Sequence, residues 1–238
     1  QRKLAQQPVL LATLLLMLLF WQGLLGKWTV TLRLHPLVVM SHLLGGFALL
    51  SVLWLLLLRL KPFHIPACTS QEEKLRPWAI LGLLFIILQI SLGGWTSANY
   101  AAFVCTDFPM CQGQWWPPMN FSAGFHLSFN AEQNYEGGVL STTARTAIQM
   151  SHRLGALITT SYLACLIYKL FGTRQGSLLR RIGLILLLLL IIQISLGALN
   201  VLWALPLLIA MAHNAVAALL LLSLITLNIY LTLDKGKI

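Results

Sequence analysis

The stretch MSHRLG, residues 150–155, places a histidine and an arginine at the head of a long apolar run. The same order of methionine, a small residue and histidine occurs at 40–42 and at 211–213, each time near the start of another apolar run. A histidine inside an apolar membrane segment is costly, so it is usually paired or functional. These three positions therefore guide the prediction of both the fold and the chemistry.

The composition predicts an integral membrane protein. Of the 238 residues, 58% are hydrophobic and only 9% are charged, whereas about a quarter of a soluble chain is charged. A bilayer-spanning helix needs about 20 apolar residues, and runs of this kind can be drawn at roughly 8–30, 37–58, 77–98, 147–171, 182–204 and 206–232. The first run lacks a small-residue cleavage site, so we interpret it as a span and not as a signal peptide. The predicted fold class is an all-α, polytopic membrane protein with six transmembrane helices.

The net charge of +10 does not form one basic patch, so it does not predict nucleic-acid binding. Twelve of the 16 basic residues fall in alternate connections: Arg2, Lys3, Arg59, Lys61, Lys74, Arg76, Lys169, Arg174, Arg180, Arg181, Lys235 and Lys237. By the positive-inside rule these connections and both termini are cytoplasmic. With a rise of 1.5 Å per residue, the three histidines then lie in one layer, roughly 10 Å or less below the outer surface.

A repeated pair of helices organises the chain. The pattern Gln-x-x-Leu-Gly occurs at 22–26, 89–93 and 193–197, and each copy is followed by a run that carries a histidine. The distance from glycine to histidine is 16 residues for Gly26 and His42, 16 for Gly197 and His213, and 59 for Gly93 and His152. The sequence thus contains three copies of one helical pair. We expect a fourth copy upstream, so that the six helices would be the remnant of two pseudo-symmetric four-helix bundles.

This repeat suggests a division into domains. Residues 1–60 would be the second helix pair of an N-terminal half, 61–76 a cytoplasmic linker, and 77–238 a complete C-terminal four-helix half with an outer loop at 99–146. The chain begins at Gln1 without an initiating methionine, which agrees with the expectation of a missing upstream segment.

Coordination chemistry gives the histidines a function. A low-spin haem takes two neutral imidazoles on opposite faces of its iron, and helices of a four-helix bundle can supply them at equal depth. His152 and His213 meet this requirement within the C-terminal half, and Arg153 is placed to bind a haem propionate. His42 would be half of the same arrangement in the other half. Glycines at 93, 94, 155 and 197 would allow close approach of backbones or of a flat macrocycle.

Other roles are open for the same residues. A membrane histidine can serve as a satisfied hydrogen-bonding group, and the repeated glutamine fits a helix–helix hydrogen bond as well as a cofactor contact. Arg153 can equally extend its charge to the interface. His35, His64 and His126 fall in connections and receive no predicted role.

The outer loop contains Cys105 and Cys111 on the oxidising side of the membrane, where a disulfide is favoured over a metal pair. The bridge could be a structural staple or a redox-active pair. Trp115 and Trp116 look like an interfacial anchor. Cys68 and Cys165 are predicted to be free thiols.

Together, the motif at 89–96 (QISLGGWT), the loop from Cys105 to Cys111, the stretch at 150–155 and the late His213 resemble the haem A synthase family of cytochrome oxidase assembly proteins. The resemblance implies eight helices in two similar halves and a membrane enzyme that oxidises the C8 methyl of haem O to a formyl group. It implies haem b on His152 and His213, a substrate-haem site that includes His42, and a disulfide between Cys105 and Cys111. The family's acidic catalytic residue lies in its first two helices, which have no counterpart here, so the catalytic residue stays unknown and the chain as given is not expected to turn over.

The same resemblance implies a multi-pass protein of the bacterial inner membrane, with lipid, haem O, the haem O synthase and the cytochrome oxidase assembly machinery as partners; a homo-oligomer stays open. Two other functions remain alternatives: a bis-histidine membrane cytochrome that exchanges electrons with quinone, and a haem carrier or assembly factor without chemistry.

Overall fold

A computed structural model describes residues 9–60, 69–127, 130, 132–173 and 177–232, and these ranges form an all-α protein without a β-strand. Its six long helices are α1 (Val9–Thr31), α2 (Pro36–Leu60), α4 (Arg76–Ala98), α6 (Thr142–Phe171), α7 (Leu178–Leu202) and α8 (Leu207–Thr232). Two short helices, α3 (Ser70–Glu73) and α5 (Phe121–Gly124), lie in connections. All six long helices are long and apolar enough to cross a membrane, which confirms the predicted number of spans.

Several predictions fall outside the described residues. The first half of the predicted linker at 61–76 does, together with Arg2, Lys3, Lys61, His64, Cys68, Arg174, Lys235 and Lys237.

Helix α6 starts earlier than the apolar run predicted. It begins at Thr142 and not at 147, because Ser141 caps it by accepting a hydrogen bond from the backbone N–H of Ala144 at 3.4 Å. An N-cap hydroxyl satisfies a backbone donor that the first turn leaves free. The first turns of α6 are polar and carry no hydropathy signal, so the connection predicted at 99–146 ends at Ser141.

Four helices close a ring, in which α4 packs on α6, α6 on α7, α7 on α8 and α8 on α4. Fully buried leucines fill its centre, among them Leu163, Leu166, Leu186, Leu220 and Leu224. Helix α2 packs from outside against α4 and α8, and α1 packs on α2. The many exposed leucines of α1 fit a face turned to lipid, where apolar side chains need no further cover.

The three helical pairs share one detail of their turns. Counting from the glycine of Gln-x-x-Leu-Gly, the seventh following residue has a left-handed backbone in every pair, at Arg33 (φ 50°), Tyr100 (φ 53°) and Ala204 (φ 54°). This conformation is uncommon for residues other than glycine. In the first and third pairs the next residue is also left-handed, and its N–H bonds the carbonyl five residues earlier at 2.8 Å in both. The turns therefore support the correspondence of α1–α2 with α7–α8.

The outer connection of the middle pair crosses to the first pair. The backbone N–H of Tyr135 donates to the carbonyl of Arg33 at 3.0 Å, and the Arg33 guanidinium donates to the carbonyl of Glu132 at 2.9 Å. His35, which received no predicted role, is buried at 2% exposure with its ring edge-on to Tyr135, centroids 4.8 Å apart. The loop thus ties the α1–α2 turn to the four-helix ring.

Candidate functional site

Each histidine of the repeat lies against the glycine of its partner helix. A Cβ atom placed on Gly93 would lie 3.1 Å from Cε1 of His152, and one on Gly197 would lie 3.1 Å from Cε1 of His213. For Gly26 and His42 the corresponding distance is 3.4 Å. The three glycines therefore provide the space that the imidazoles occupy.

The repeated glutamine contacts the histidine in two of the three pairs. In α4–α6, Nε2 of Gln89 lies 3.0 Å from Nδ1 of His152 and donates to its backbone carbonyl at 3.0 Å. In α7–α8, Nε2 of Gln193 lies 3.2 Å from Nε2 of His213. The same residue type thus engages opposite ring nitrogens in the two pairs.

The residue three positions after the histidine differs between these pairs. After His152 it is Gly155, and a Cβ there would lie 2.5 Å from Oε1 of Gln89. After His213 it is Val216, which already carries a branched side chain. The glutamine of the middle pair therefore lies in a space that Gly155 leaves open.

In the first pair the glutamine also packs against the histidine's helix, but no hydrogen bond between Gln22 and His42 is found among the described residues. Gln22 lies against Gly45, the residue three positions after His42. Among the described residues, Nε2 of Gln22 and Nδ1 of His42 are both buried without a hydrogen-bond partner. Buried polar atoms of this kind are rare in folded proteins.

The ring places His152 on α6 and His213 on α8, and these two helices lie diagonally opposite each other across the bundle. Within the described residues, no three His, Cys, Asp or Glu side chains stand together as a metal site, so an iron held here would rest on imidazoles and a porphyrin. The fit to a haem is favourable, because each imidazole lies in a glycine-lined space and has one ring nitrogen without a hydrogen bond among these residues.

Arg153 holds the outer loop. Its guanidinium donates to the carbonyls of Met110 at 2.7 Å, Asp107 at 3.0 Å, Pro109 at 3.3 Å and Cys105 at 3.5 Å. It also lies over the ring of Phe108, 5.8 Å from the centroid. An arginine committed to four carbonyls positions the loop one residue away from His152, and this is a role that the sequence did not suggest.

A disulfide joins Cys105 to Cys111, whose Cα atoms lie 4.7 Å apart. Both cysteines are buried against Met150, one turn of α6 before Arg153. Trp115 and Trp116 are exposed at 70% and 64%, as an interfacial anchor would be. Cys165 is a free, exposed thiol within α6.

Comparison with known proteins identifies the family of this chain. A family model described as cytochrome oxidase assembly protein matches residues 1–225. The chain belongs to this family.

Curated relatives of this cytochrome oxidase assembly family carry one name, haem A synthase. The protein of Shewanella oneidensis MR-1 is 47% identical over 229 residues, which cover 96% of this chain and 68% of the relative. The protein of Neorickettsia sennetsu is 28% identical over 204 residues, covering 84% of this chain and 57% of the relative. That of Caulobacter vibrioides is 26% identical over 209 residues, covering 84% and 56%. The chain spans between about half and two thirds of these relatives.

Within this family fold, the pairing of glutamine with histidine was not predicted as a specific contact. The signal was present in the sequence, because glutamine lies four residues before the glycine in every copy and therefore on the same helix face. What the sequence lacked was the register between helices, which is set by contacts between residues up to 63 positions apart.

Proposed function

We propose that this chain belongs to a haem A synthase, which oxidises the C8 methyl group of haem O to a formyl group for cytochrome oxidase assembly. The family and the name shared by its relatives support an oxidoreductase of haem A biosynthesis. The observation that carries the proposal is the placement of His152 and His213 in glycine-lined spaces on facing helices of one ring. That arrangement suits two axial ligands of a single haem better than two separate helix-packing histidines.

In this proposal His152 and His213 bind the iron of a resident haem b, and His42 belongs to the site of the substrate haem. Bound there, the haem would supply one-electron chemistry at its iron. The chain's own residues do the rest. Gly93 and Gly197 set the depth of the imidazoles. The leucine-filled centre of the ring excludes water, and Arg153 fixes the outer loop beside His152.

The proposal also includes the setting. The positive-inside pattern favours cytoplasmic termini in a bacterial inner membrane, with the loop at 99–141 on the outer side. There, the Cys105–Cys111 disulfide would persist in an oxidising compartment. The expected partners are haem O, the haem O synthase that supplies it and the oxidase assembly machinery.

Co-expression of the full-length gene with a source of haem O tests the activity. Haems extracted from the membranes are identified by mass, with a His42→Ala gene as a matched control. A new haem with a formyl group supports the proposal. Bound haem b without any change in haem side chains favours an electron-transfer cytochrome, and exchangeable haem without haem A favours a carrier.

A further inference from the structure

We propose that Arg145 and Gln149 bind the propionate groups of the haem, at the end of the four-helix ring where α6 begins and α7 ends. This end is called the outer end below. The inference rests on the proposed function, in which His152 and His213 bind the haem iron. It adds the residues that orient the macrocycle between those two ligands.

Arg145 and Gln149 lie on the face of α6 that points into the ring. Side chains three or four residues apart along an α-helix share one face. Further along α6 this face is marked by Leu163 and Leu170, which are fully buried in the centre of the ring. The same spacing, continued toward the start of the helix, gives residues 159, 156, 152, 149 and 145. The arginine and the glutamine are therefore the outermost members of the stripe that carries His152.

The rise of the helix places both residues on the outer side of His152. Gln149 lies about 4.5 Å and Arg145 about 10 Å beyond it along the axis of α6. The propionates are attached at one edge of the macrocycle, several ångströms from the iron. Both side chains are thus at the height of a propionate if that edge faces the outer end.

The interior of the ring gives the propionate edge one favourable direction. Because α6 and α8 lie opposite each other, the axial bonds run across the ring and the macrocycle stands parallel to the helices. Toward the other end the interior consists of fully buried leucines, among them Leu163, Leu220 and Leu224. An ionised carboxylate without a partner is very costly among apolar side chains. The propionates must therefore face the outer end.

Polar atoms buried at the outer end lack partners among the described residues. They are Nε of Arg145, Oε1 of Gln149 and Oδ1 of Asn200, which lies near the outer end of the adjacent helix α7. Gln149 is only 4% exposed, and a buried amide is normally hydrogen-bonded. A carboxylate accepts from guanidinium and amide N–H groups, and an amide that turns over presents its NH2 in place of its oxygen. A pair of propionates would satisfy these groups.

Arg153, the residue that the sequence predicts at a propionate, is committed elsewhere. Both of its terminal nitrogens donate to carbonyls of the disulfide loop. It follows His152 directly and so lies about 100° away around α6. A propionate at Arg153 would have to displace these contacts, whereas the Nε of Arg145 has no hydrogen bond to lose among the described residues.

The test compares haemin with haemin dimethyl ester, whose propionates are uncharged, as ligands of the purified, haem-free full-length protein. Arg145→Gln should weaken haemin binding by about 10-fold, the lower end for a hydrogen bond to a charged group, because Arg145 is partly exposed. Gln149→Leu should weaken it by about 3-fold, since a neutral donor contributes less. Neither variant should change binding of the ester.

Arg153→Gln is the matched control, because it removes the same charge from the same helix. It acts through the loop, so any change it causes should be equal for haemin and the ester. Arg145→Lys keeps the charge and should retain more of the preference for haemin than Arg145→Gln does. The absorption spectrum of each complex reports whether the iron keeps two histidine ligands.

The outcomes separate this inference from the proposed function. A loss confined to haemin in the Arg145 and Gln149 variants supports the inference. Equal losses for haemin and the ester, no loss with either, or a loss confined to haemin in Arg153→Gln alone would overturn it. If Arg145→Gln does not fold, Arg145→Lys and Gln149→Leu decide the result. Unmodified protein that binds no haem through two histidines refutes the proposed ligands instead, and the inference falls with them.

Discussion

The three histidines of the repeat are expected to respond differently to truncation. Changing His152 or His213 to alanine should abolish a low-spin bis-histidine spectrum, because either change leaves one face of the iron without its ligand. Changing His42 should keep that spectrum, since His42 lies on α2 outside the four-helix ring. Absorption and paramagnetic resonance spectra of the purified variants measure this. Loss of the spectrum with His42→Ala, but not with His213→Ala, would mean that the iron is held between α2 and the ring.

Arg153 is expected to stabilise the outer loop. Replacing it with alanine removes hydrogen bonds to the carbonyls of four loop residues, and hydrogen bonds to a charged group contribute about 1.5–3 kcal/mol each at most sites. Because Arg153 is partly exposed, we expect the whole set to be worth about 2 kcal/mol. Hydrogen exchange over residues 101–113 measures the loss, and Arg153→Lys should recover only part of it. Unchanged exchange in the alanine variant would contradict the role.

At the scale of single elements, the disulfide loop contains a carboxylate that closes its turn. Asp107 accepts the backbone N–H groups of Gln112 and Gly113 at 2.8 Å each. The hydrogen bond from Gly113 is the largest cause that lowers the pKa of the Asp107 carboxyl below 3.8, and nearby Arg153 adds to it. A lowered pKa in the folded loop means that the carboxylate stabilises the loop above the unfolded value and loses this effect as pH falls through the folded value.

Loop order should therefore be constant from neutral pH down to about 4 and should decrease below that. Trp115 and Trp116 come directly after the turn, so their fluorescence measures the loss of loop order as the pH is lowered. Asp107→Asn should give a flat profile over the same window, because the amide does not titrate there. An identical acid transition in both proteins would assign it to another group.

The sequence predicted those features whose signals lie within a short stretch of the chain. It missed those that depend on contacts between residues far apart in the chain. Apolar runs and the 16-residue spacing are local, so the six spans and the repeat followed from them. The start of α6 at Thr142 was missed, because a serine cap in a polar stretch has no hydropathy signal. The carbonyl contacts of Arg153 join residues more than 40 positions apart. The burial of His35 against Tyr135 depends on the loop's path across two helical pairs.

At the scale of the whole molecule, Gly94 is the junction between the first pair and the ring. Its neighbour Gly93 faces His152, whereas a Cβ on Gly94 would lie 2.8 Å from Cδ2 of Leu43 in α2. Gly94→Leu should separate α2 from α4 and lower the stability by about 1–3 kcal/mol, as overpacking does. Thermal unfolding in detergent measures this, and Gly23→Leu is the control, since nothing lies within 4 Å of a Cβ there.

Adding Leu43→Ala to Gly94→Leu should restore much of the lost stability, because the second change removes the side chain that the first one meets. No restoration would show that Gly94 acts through the helix backbone and not through Leu43.

The shared left-handed turn shows where this chain can accept new segments. The middle pair has 59 residues between glycine and histidine in place of 16, and the additional 43 begin directly after the left-handed Tyr100. Despite that insertion, a Cβ atom placed on Gly93 would lie 3.1 Å from Cε1 of His152. The corresponding distance between Gly197 and His213 in the third pair is the same. The peptide between Ala204 and Leu205 is the equivalent point in α7–α8. It is therefore a natural grafting site, at which a foreign loop would be displayed above His213 without changing the alignment of the two helices beneath it.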